Sequence, residues 1–238
     1  MQFYDMHSHI LPNIDDGANS VEASVKMLES LKKQGVTNVC LTPHFYSNHE
    51  SAEDFIKSRD EAIAELKPHI PDGMKVVVGA EVYVTRFLLS NDDLSGVTYG
   101  KSNYMLTEHG YTAHFEERSL NYFYKLMEKG FTPVLPHVER YEVLMSNPSI
   151  IEELKDMGVI IQTNALNYIK GAPFLRKRKL IKFINEGLID IIGTDAHSFS
   201  HNSPEAYAQA IEYITAKCGE DTVAEMMQKS EEIFNSAL

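Results

Sequence analysis

The sequence predicts a single α/β domain over residues 1–238, in which seven parallel strands form a closed or nearly closed barrel. Three observations carry this expectation. Apolar runs of four to six residues alternate with longer amphipathic segments, as for parallel strands buried on both faces and joined by helices. No Gly/Ser-rich linker or internal repeat divides the 238 residues, a length at which one α/β barrel is common. Histidines and carboxylates follow six of the seven runs. A barrel gathers strand ends on one face, whereas an open doubly wound sheet would spread them along an edge.

The elements follow in order. Phe3 to Met6 is the first strand, and a helix from about Ser20 to Gln34 shows Val21, Val25, Leu28 and Leu31 at helical spacing before Gly35 stops it. Val39 to Thr42 is the second strand, closed by Pro43. A charged helix from Ala52 to Leu66 presents Phe55, Ile56, Ile63 and Leu66. Pro71-Asp72-Gly73 turns the chain into a third strand, Met74 to Gly79. Tyr104 to Leu106 is the fourth strand, and a helix from about Glu116 to Glu128 leads to the fifth, Thr132 to Leu135. Val159 to Gln162 and Ile189 to Ile192 are the sixth and seventh, separated by a helix from Phe174 to Asn185. Helices from about Pro204 and Asp221 finish the chain.

Composition narrows the function. Hydrophobic residues at 43% supply a substantial core, and 22 Lys+Arg against 34 Asp+Glu give a net charge of −12. That balance argues against nucleic acid and anionic membrane as partners, since both need a basic surface. It does not exclude an anionic substrate, because bound divalent ions would outweigh a diffuse surface charge locally. Cys40 and Cys218 form no C-x-x-C pair and no disulfide framework, which suits a reducing compartment. The first residues carry no basic and apolar leader, and no apolar stretch approaches the roughly 20 residues that span a bilayer. A cytoplasmic protein without membrane insertion is expected.

The chemistry concentrates at strand ends. His7 and His9, in Asp5-Met6-His7-Ser8-His9, lie two apart and face one side on leaving a strand, so they can chelate one ion. Asp195 and His197 repeat that spacing after the last strand, which a closed barrel brings beside the first. His44, Glu81, Glu108 and His137 each follow another run. One such residue is unremarkable; the repeated placement points to a multi-metal site and metal-dependent hydrolysis. A cysteine phosphatase is excluded, since its C-x5-R pattern would need Arg where Tyr46 and Ala224 stand.

These motifs resemble the polymerase-and-histidinol-phosphatase (PHP) superfamily, and within it the manganese-dependent protein-tyrosine phosphatases of bacterial capsule and exopolysaccharide clusters. The matching text is Asp5-Met6-His7-Ser8-His9-Ile10-Leu11-Pro12 running into Asp15-Asp16-Gly17, Thr42-Pro43-His44, Gly79-Ala80-Glu81, Leu106-Thr107-Glu108, Pro136-His137-Val138-Glu139-Arg140-Tyr141 and Asp195-Ala196-His197. The resemblance implies a distorted (β/α)7 TIM-like barrel, the PHP fold, with three divalent ions. His7, His9, Glu81 and Asp195 would hold the first ion, and Glu81 would bridge to a second held by Glu108 and His137. Asp16, His44 and His197 would hold the third, with Asp15 a close rival to Asp16. Mn²⁺ is the family's metal, and Fe²⁺ or Zn²⁺ suit the same ligands. Arg140 would bind the phosphoryl oxygens bidentately, while Glu139 reads as structural. The implied reaction is attack on phosphorus by a metal-bound hydroxide, on the phosphotyrosine of a protein, the expected partner being a bacterial tyrosine kinase.

Two departures from the family bear on specificity. Relatives often carry another Arg after the D-x-H; here the stretch is Ser198-Phe199-Ser200-His201-Asn202. After Glu108 this chain has His109-Gly110-Tyr111 where relatives have an apolar residue and often proline. Alternative readings are a histidinol-phosphate phosphatase or other small-molecule PHP phosphoesterase, an amidohydrolase-like barrel, and a non-catalytic metal-stabilised scaffold. The basic run Arg176 to Lys179 reads as a solvated helix face, and His49, His69 and His114 as surface residues.

Overall fold

The computed structural model describes residues 1–90, 93–111 and 115–238 of the chain, without the side chains of 115–118. Nine short strands make up its sheets: β1 (Phe3–Asp5), β2 (Val36–Leu41), β3 (His44–Phe45), β4 (Lys75–Val78), β5 (Glu81–Tyr83), β6 (Tyr104–Glu108), β7 (Thr132–Leu135), β8 (Ile160–Asn164) and β9 (Ile191–Gly193). All pairings are parallel, in the orders β1-β2-β4 and β3-β5-β6-β7-β8-β9.

The two sheets are one surface. Pro43 has no N–H for the ladder and interrupts the second run between β2 and β3, while Gly79-Ala80 separates β4 from β5. Across this break Gly79 N donates to Leu41 O at 2.8 Å and Glu81 N to Pro43 O at 2.9 Å. The seven expected runs are therefore seven barrel strands, two of them broken. The outer edges meet as well: Met6 N reaches Ile192 O at 3.3 Å, Asp195 N reaches His7 O at 2.7 Å, and His9 N reaches Ala196 O at 2.9 Å. This is the curled parallel sheet that the strand pattern predicts.

Helices join the strands along the outside. α1 (Val21–Lys33) starts at Ser20, whose side chain accepts from Ala23 N. Its buried stripe is Ser24, Met27, Leu28 and Leu31, while the expected Val21 and Val25 are not fully buried. Ser24 can lie inside because its hydroxyl donates to Ser20 O at 3.1 Å. α2 (Ala52–Leu66) likewise buries Arg59 and Ala62 instead of Ile56 and Ile63. The Arg59 guanidinium is satisfied by Gly96 O at 2.6 Å and by Asp60. α3 (Arg86–Leu89) is a single turn after β5, and α4 (Phe115–Glu128) precedes β7.

Between β7 and β8 the chain forms α5 (Glu142–Ser146) and α6 (Pro148–Met157), which the strand-centred reading above does not contain. Their signal is ordinary: Pro148 opens α6, Ile150, Ile151 and Leu154 form its buried face, and Gly158 at φ 98° closes it. α7 (Phe174–Asn185) has the predicted bounds, with Arg176 and Arg178 exposed. α8 (Tyr207–Cys218) and α9 (Glu220–Ser236) complete the shell. Buried Tyr207 and Tyr99 place their hydroxyls on Tyr4 O and Met6 O, at 2.7 and 2.8 Å, and so fix the first strand that leads to His7. No helix among the described residues is long and apolar enough to cross a membrane.

Candidate metal centre

Every predicted ligand except Asp16 lies on or just past a strand on the exit face of the barrel. Glu81 opens β5 opposite His44 in register, and Glu108 closes β6 opposite Tyr83. His137 and Asp195 adopt left-handed backbone, with φ 36° and 55°, which costs a non-glycine residue about 1–3 kcal/mol. Those two strained turns re-aim the chain as it leaves β7 and β9. Gly193 is required beside them, since a Cβ there would stand 2.6 Å from His7 Cβ.

The residues converge in three overlapping groups. In the first, His9 Nε2 lies 3.1 Å from His7 Nε2 and 3.2 Å from both Glu81 Oε2 and Asp195 Oδ1, and all four residues are buried. In the second, His137 Nε2 stands 2.7 Å from Glu81 Oε1 and 3.9 Å from Glu108 Oε1. The third brings Asp16 Oδ1 within 3.8 Å of His44 Nε2 and 3.4 Å of His197 Nε2. The groups share members: potential ligand atoms of His9 lie within 4.8 Å of the third set, and those of His44 within 4.8 Å of Glu81 and Glu108. The sequence reading, which gave His9 and His44 to one ion each, did not contain this sharing.

Asp15 and Asp16 separate in space. Asp15 is half-buried, its side chain only 6% exposed, and holds His9 Nδ1 at 2.6 Å, while accepting from His44 N and Gly17 N at 2.9 Å each. It orients two imidazole-bearing segments and closes the turn. Asp16 is 72% exposed and points its carboxylate at the third group. A carboxylate on the far nitrogen of a ligating imidazole fixes its tautomer and leaves Nε2 with a lone pair.

The electrostatics fit a cation site. Burial opposes the charge on Glu81, but His7, His137 and His44 outweigh it and hold the carboxyl well below its usual range. Asp195 is lowered in the same way by His7 and His9, against its burial. Burial, with His9 alongside, brings His197 down to about 4, which favours the neutral imidazole that a metal requires. Glu81 Oε2, Asp195 Oδ1 and His44 Nδ1 are buried without a hydrogen bond among the described residues, although imidazole nitrogens stand 3.1–3.6 Å from the two carboxylate oxygens. Such orphaned donor atoms, facing one another, match a divalent ion held by mixed nitrogen and oxygen ligands.

Arg140 leaves a 3₁₀ turn (Val138–Arg140) and pairs with Asp195 Oδ2 at 2.5 Å. Its neighbour Glu139 faces inward to Thr163 Oγ1, Asn164 N and Asn167 Nδ2, at 3.0, 3.2 and 2.7 Å. Asn164 Nδ2 and Asn202 Nδ2 also donate to Asp195 Oδ2, at 2.9 Å each. The outer oxygen of Asp195 is thus saturated while Oδ1 stays bare toward His7 and His9.

Sequence reasoning missed Gln162, whose Oε1 accepts from His137 N at 2.8 Å, and Asn164 beside it. Their signal was the switch from apolar Val159-Ile160-Ile161 to polar Gln162-Thr163-Asn164 at the exit of the sixth run. It also gave Tyr111 no role, although its hydroxyl donates to Glu108 and its ring lies 4.9 Å from Tyr141. His49 and His69 are exposed as expected; His114 lies outside the described residues.

A seven-stranded parallel barrel with imidazole–carboxylate clusters at its strand exits defines a metal-dependent hydrolase of the PHP kind. The chain belongs to the capsular polysaccharide synthesis CpsB/CapC family, whose model matches residues 3–235. It is 30% identical, over 93% of both chains, to the tyrosine-protein phosphatase CpsB of Streptococcus pneumoniae. To the tyrosine-protein phosphatase YwqE of Bacillus subtilis it is 30% identical over 82% of this chain and 77% of that one. Among solved structures it superposes with TM-score 0.79 on one of YwqE from Bacillus subtilis and CpsB from Streptococcus pneumoniae, described as unique metal-dependent tyrosine phosphatases. That match has 22% identity and covers 99% of this chain and 96% of the other, which establishes the shared fold.

Proposed function

We propose that this chain is a protein-tyrosine phosphatase acting on a phosphorylated bacterial tyrosine kinase of capsule or exopolysaccharide synthesis. It would work as one domain over residues 1–238 with three divalent ions, Mn²⁺ being the expected metal. The observation that carries the reading is the convergence on Glu81 of imidazoles from three strand exits, with Arg140 placed against Asp195 at the rim. The family relatives named as tyrosine-protein phosphatases support it.

The ligand sets are His7, His9, Glu81 and Asp195; Glu81, Glu108 and His137; and Asp16, His44 and His197. Ions bound there supply activated water near neutral pH and neutralise phosphate charge. The chain's own residues do the rest. Asp15 and Gln162 hold His9 and the His137 backbone in place. The Arg140 side chain is 36% exposed, so donors beyond the one engaged by Asp195 can reach the equatorial phosphoryl oxygens, where charge builds in a loose transition state. Tyr46 and Tyr83, with rings 5.7 Å apart and Tyr46 5.4 Å from His44, offer faces to a phenyl ring. A phenolate with a pKa of about 10 leaves with little help from a general acid.

The test is metal-reconstituted protein assayed in parallel on phosphotyrosine peptide, histidinol phosphate and an amide panel. Phosphotyrosine should give the highest kcat/KM. A clear preference for histidinol phosphate would transfer the function to a small-molecule phosphoesterase.

A further inference from the structure

Beside the metal centre lies a cavity of about 310 Å³, lined by Asn48, Tyr83, Arg86, Phe87, His109 and Tyr122 among others. It begins where the centre ends. Tyr83 faces Glu108 across β5 and β6, Val84 N donates to Glu108 O at 2.9 Å, and His109 is the next residue along the chain. On the opposite rim, Thr85 Oγ1 meets Ser47 Oγ at 3.1 Å and ties α3 to the segment after β3. The loops after β3, β5 and β6 that line this cavity lie on the exit face of the barrel, so the residues flanking a phosphotyrosine seated at the centre would pass over that face.

Two side chains on α3 lack an internal purpose. Phe87 is 69% exposed. Arg86 is exposed and forms no ion pair among the described residues, although the chain carries an excess of carboxylates. The adjoining hollow holds Glu50 and Asp93, so the cationic spot is local to Arg86. An exposed guanidinium with no ion pair among the described residues, next to exposed Phe87 and near half-buried Tyr122, suits one carboxylate on a short aliphatic stem.

We infer that this cavity is a subsite for an aspartate or glutamate next to the phosphotyrosine of the substrate protein, with Arg86 binding its carboxylate and Phe87 and Tyr122 packing its stem. The inference rests on the phosphotyrosine reading above and adds sequence preference to it.

The test compares kcat/KM for phosphotyrosine peptides bearing Glu, Ala or Lys beside the phosphotyrosine, each divided by kcat/KM for a small aryl phosphate on the same Mn²⁺-loaded protein. The parent chain should prefer the Glu peptide. Arg86→Ala should lower the Glu-peptide ratio about three- to tenfold through KM, as expected for a solvent-facing charge pair, and Arg86→Glu should invert the preference toward Lys. Arg86→Lys should restore part of the ratio, and thermal melts confirm that the variants fold. Ratios unmoved by both Arg86→Ala and Arg86→Glu would overturn the subsite, as would equal losses on peptide and aryl phosphate. A parent chain inactive on every phosphotyrosine substrate but active on histidinol phosphate would instead overturn the tyrosine-phosphatase reading itself, and the subsite with it.

Discussion

Asp195 shows how much one carboxylate is asked to do. Three donors, from Arg140, Asn164 and Asn202, hold its outer oxygen, so its inner oxygen is fixed before any ion arrives. Losing Arg140 leaves two amides on that oxygen. Arg140→Ala should therefore keep its metal content by elemental analysis. It should nevertheless lose about 10²–10³-fold in kcat on an aryl phosphate, as expected for removal of a charge-stabilising donor. Arg140→Lys should recover only part, because an ammonium lacks the planar fork. Full activity in Arg140→Ala would remove it from the phosphate site. The Asp15–Asp16 pair gives a second residue-scale test. Asp15→Asn should weaken metal affinity about 10–100-fold by disturbing His9, as for other partners behind a ligand. Asp16→Asn should selectively lower occupancy of the most exposed ion. Unchanged metal stoichiometry and affinity in Asp16→Asn would strike Asp16 from the ligands.

At the scale of elements, the site depends on strands approaching one another without side chains between them. Gly193 at the end of β9 and Gly17 after the first strand both face the histidine motif, and a Cβ on Gly17 would stand 2.0 Å from His9 O. Neither backbone contact can yield without moving a ligand. Gly193→Ala should destabilise the fold by about 1–3 kcal/mol, the usual cost of overpacking. It should also reduce metal affinity, read from thermal melts with and without Mn²⁺. A melt and a metal titration matching the parent would show that β9 can shift freely. The same close approach explains why one broken strand pair serves so well: the interruptions at Pro43 and Gly79-Ala80 let β3 and β5 re-pair His44 with Glu81.

For the whole molecule, the unusual feature is a buried cluster of imidazoles and carboxylates at the mouth of an apolar barrel. Orphaned oxygens on Glu81 and Asp195 destabilise the metal-free chain, and bound ions would remove that penalty. Ligand at a hundredfold excess over Kd contributes about 2.7 kcal/mol, and a domain of this size gains about 2–4 °C per kcal/mol. Saturating Mn²⁺ should thus raise Tm by about 5–10 °C, and a chelator should reverse the gain. A Tm indifferent to both would contradict a metal centre built from these residues.

Local pattern alone was enough for the seven strand runs, the helix of Phe174–Asn185, and the histidine and carboxylate motifs, because apolar periodicity and short ligand spacings are written within a few residues. It also read Glu139 as structural, and the structure buries that side chain against Thr163 and Asn164. It could not show that Asp15 serves His9 while Asp16 turns outward, since the two are adjacent and chemically identical. Nor could it show that His9 and His44 stand between ligand groups, or that Gln162, Asn164 and Asn202 brace the site. Those assignments depend on distances between segments up to the full circumference of the barrel, and on left-handed turns at His137 and Asp195 that no local sequence pattern marks. The order in which the strands carry the candidate ligands was already written in the chain. Only barrel closure, by bringing β9 beside β1, decided which of those ligands meet, because side chains nearly two hundred residues apart share a site only after the chain has curled back on itself.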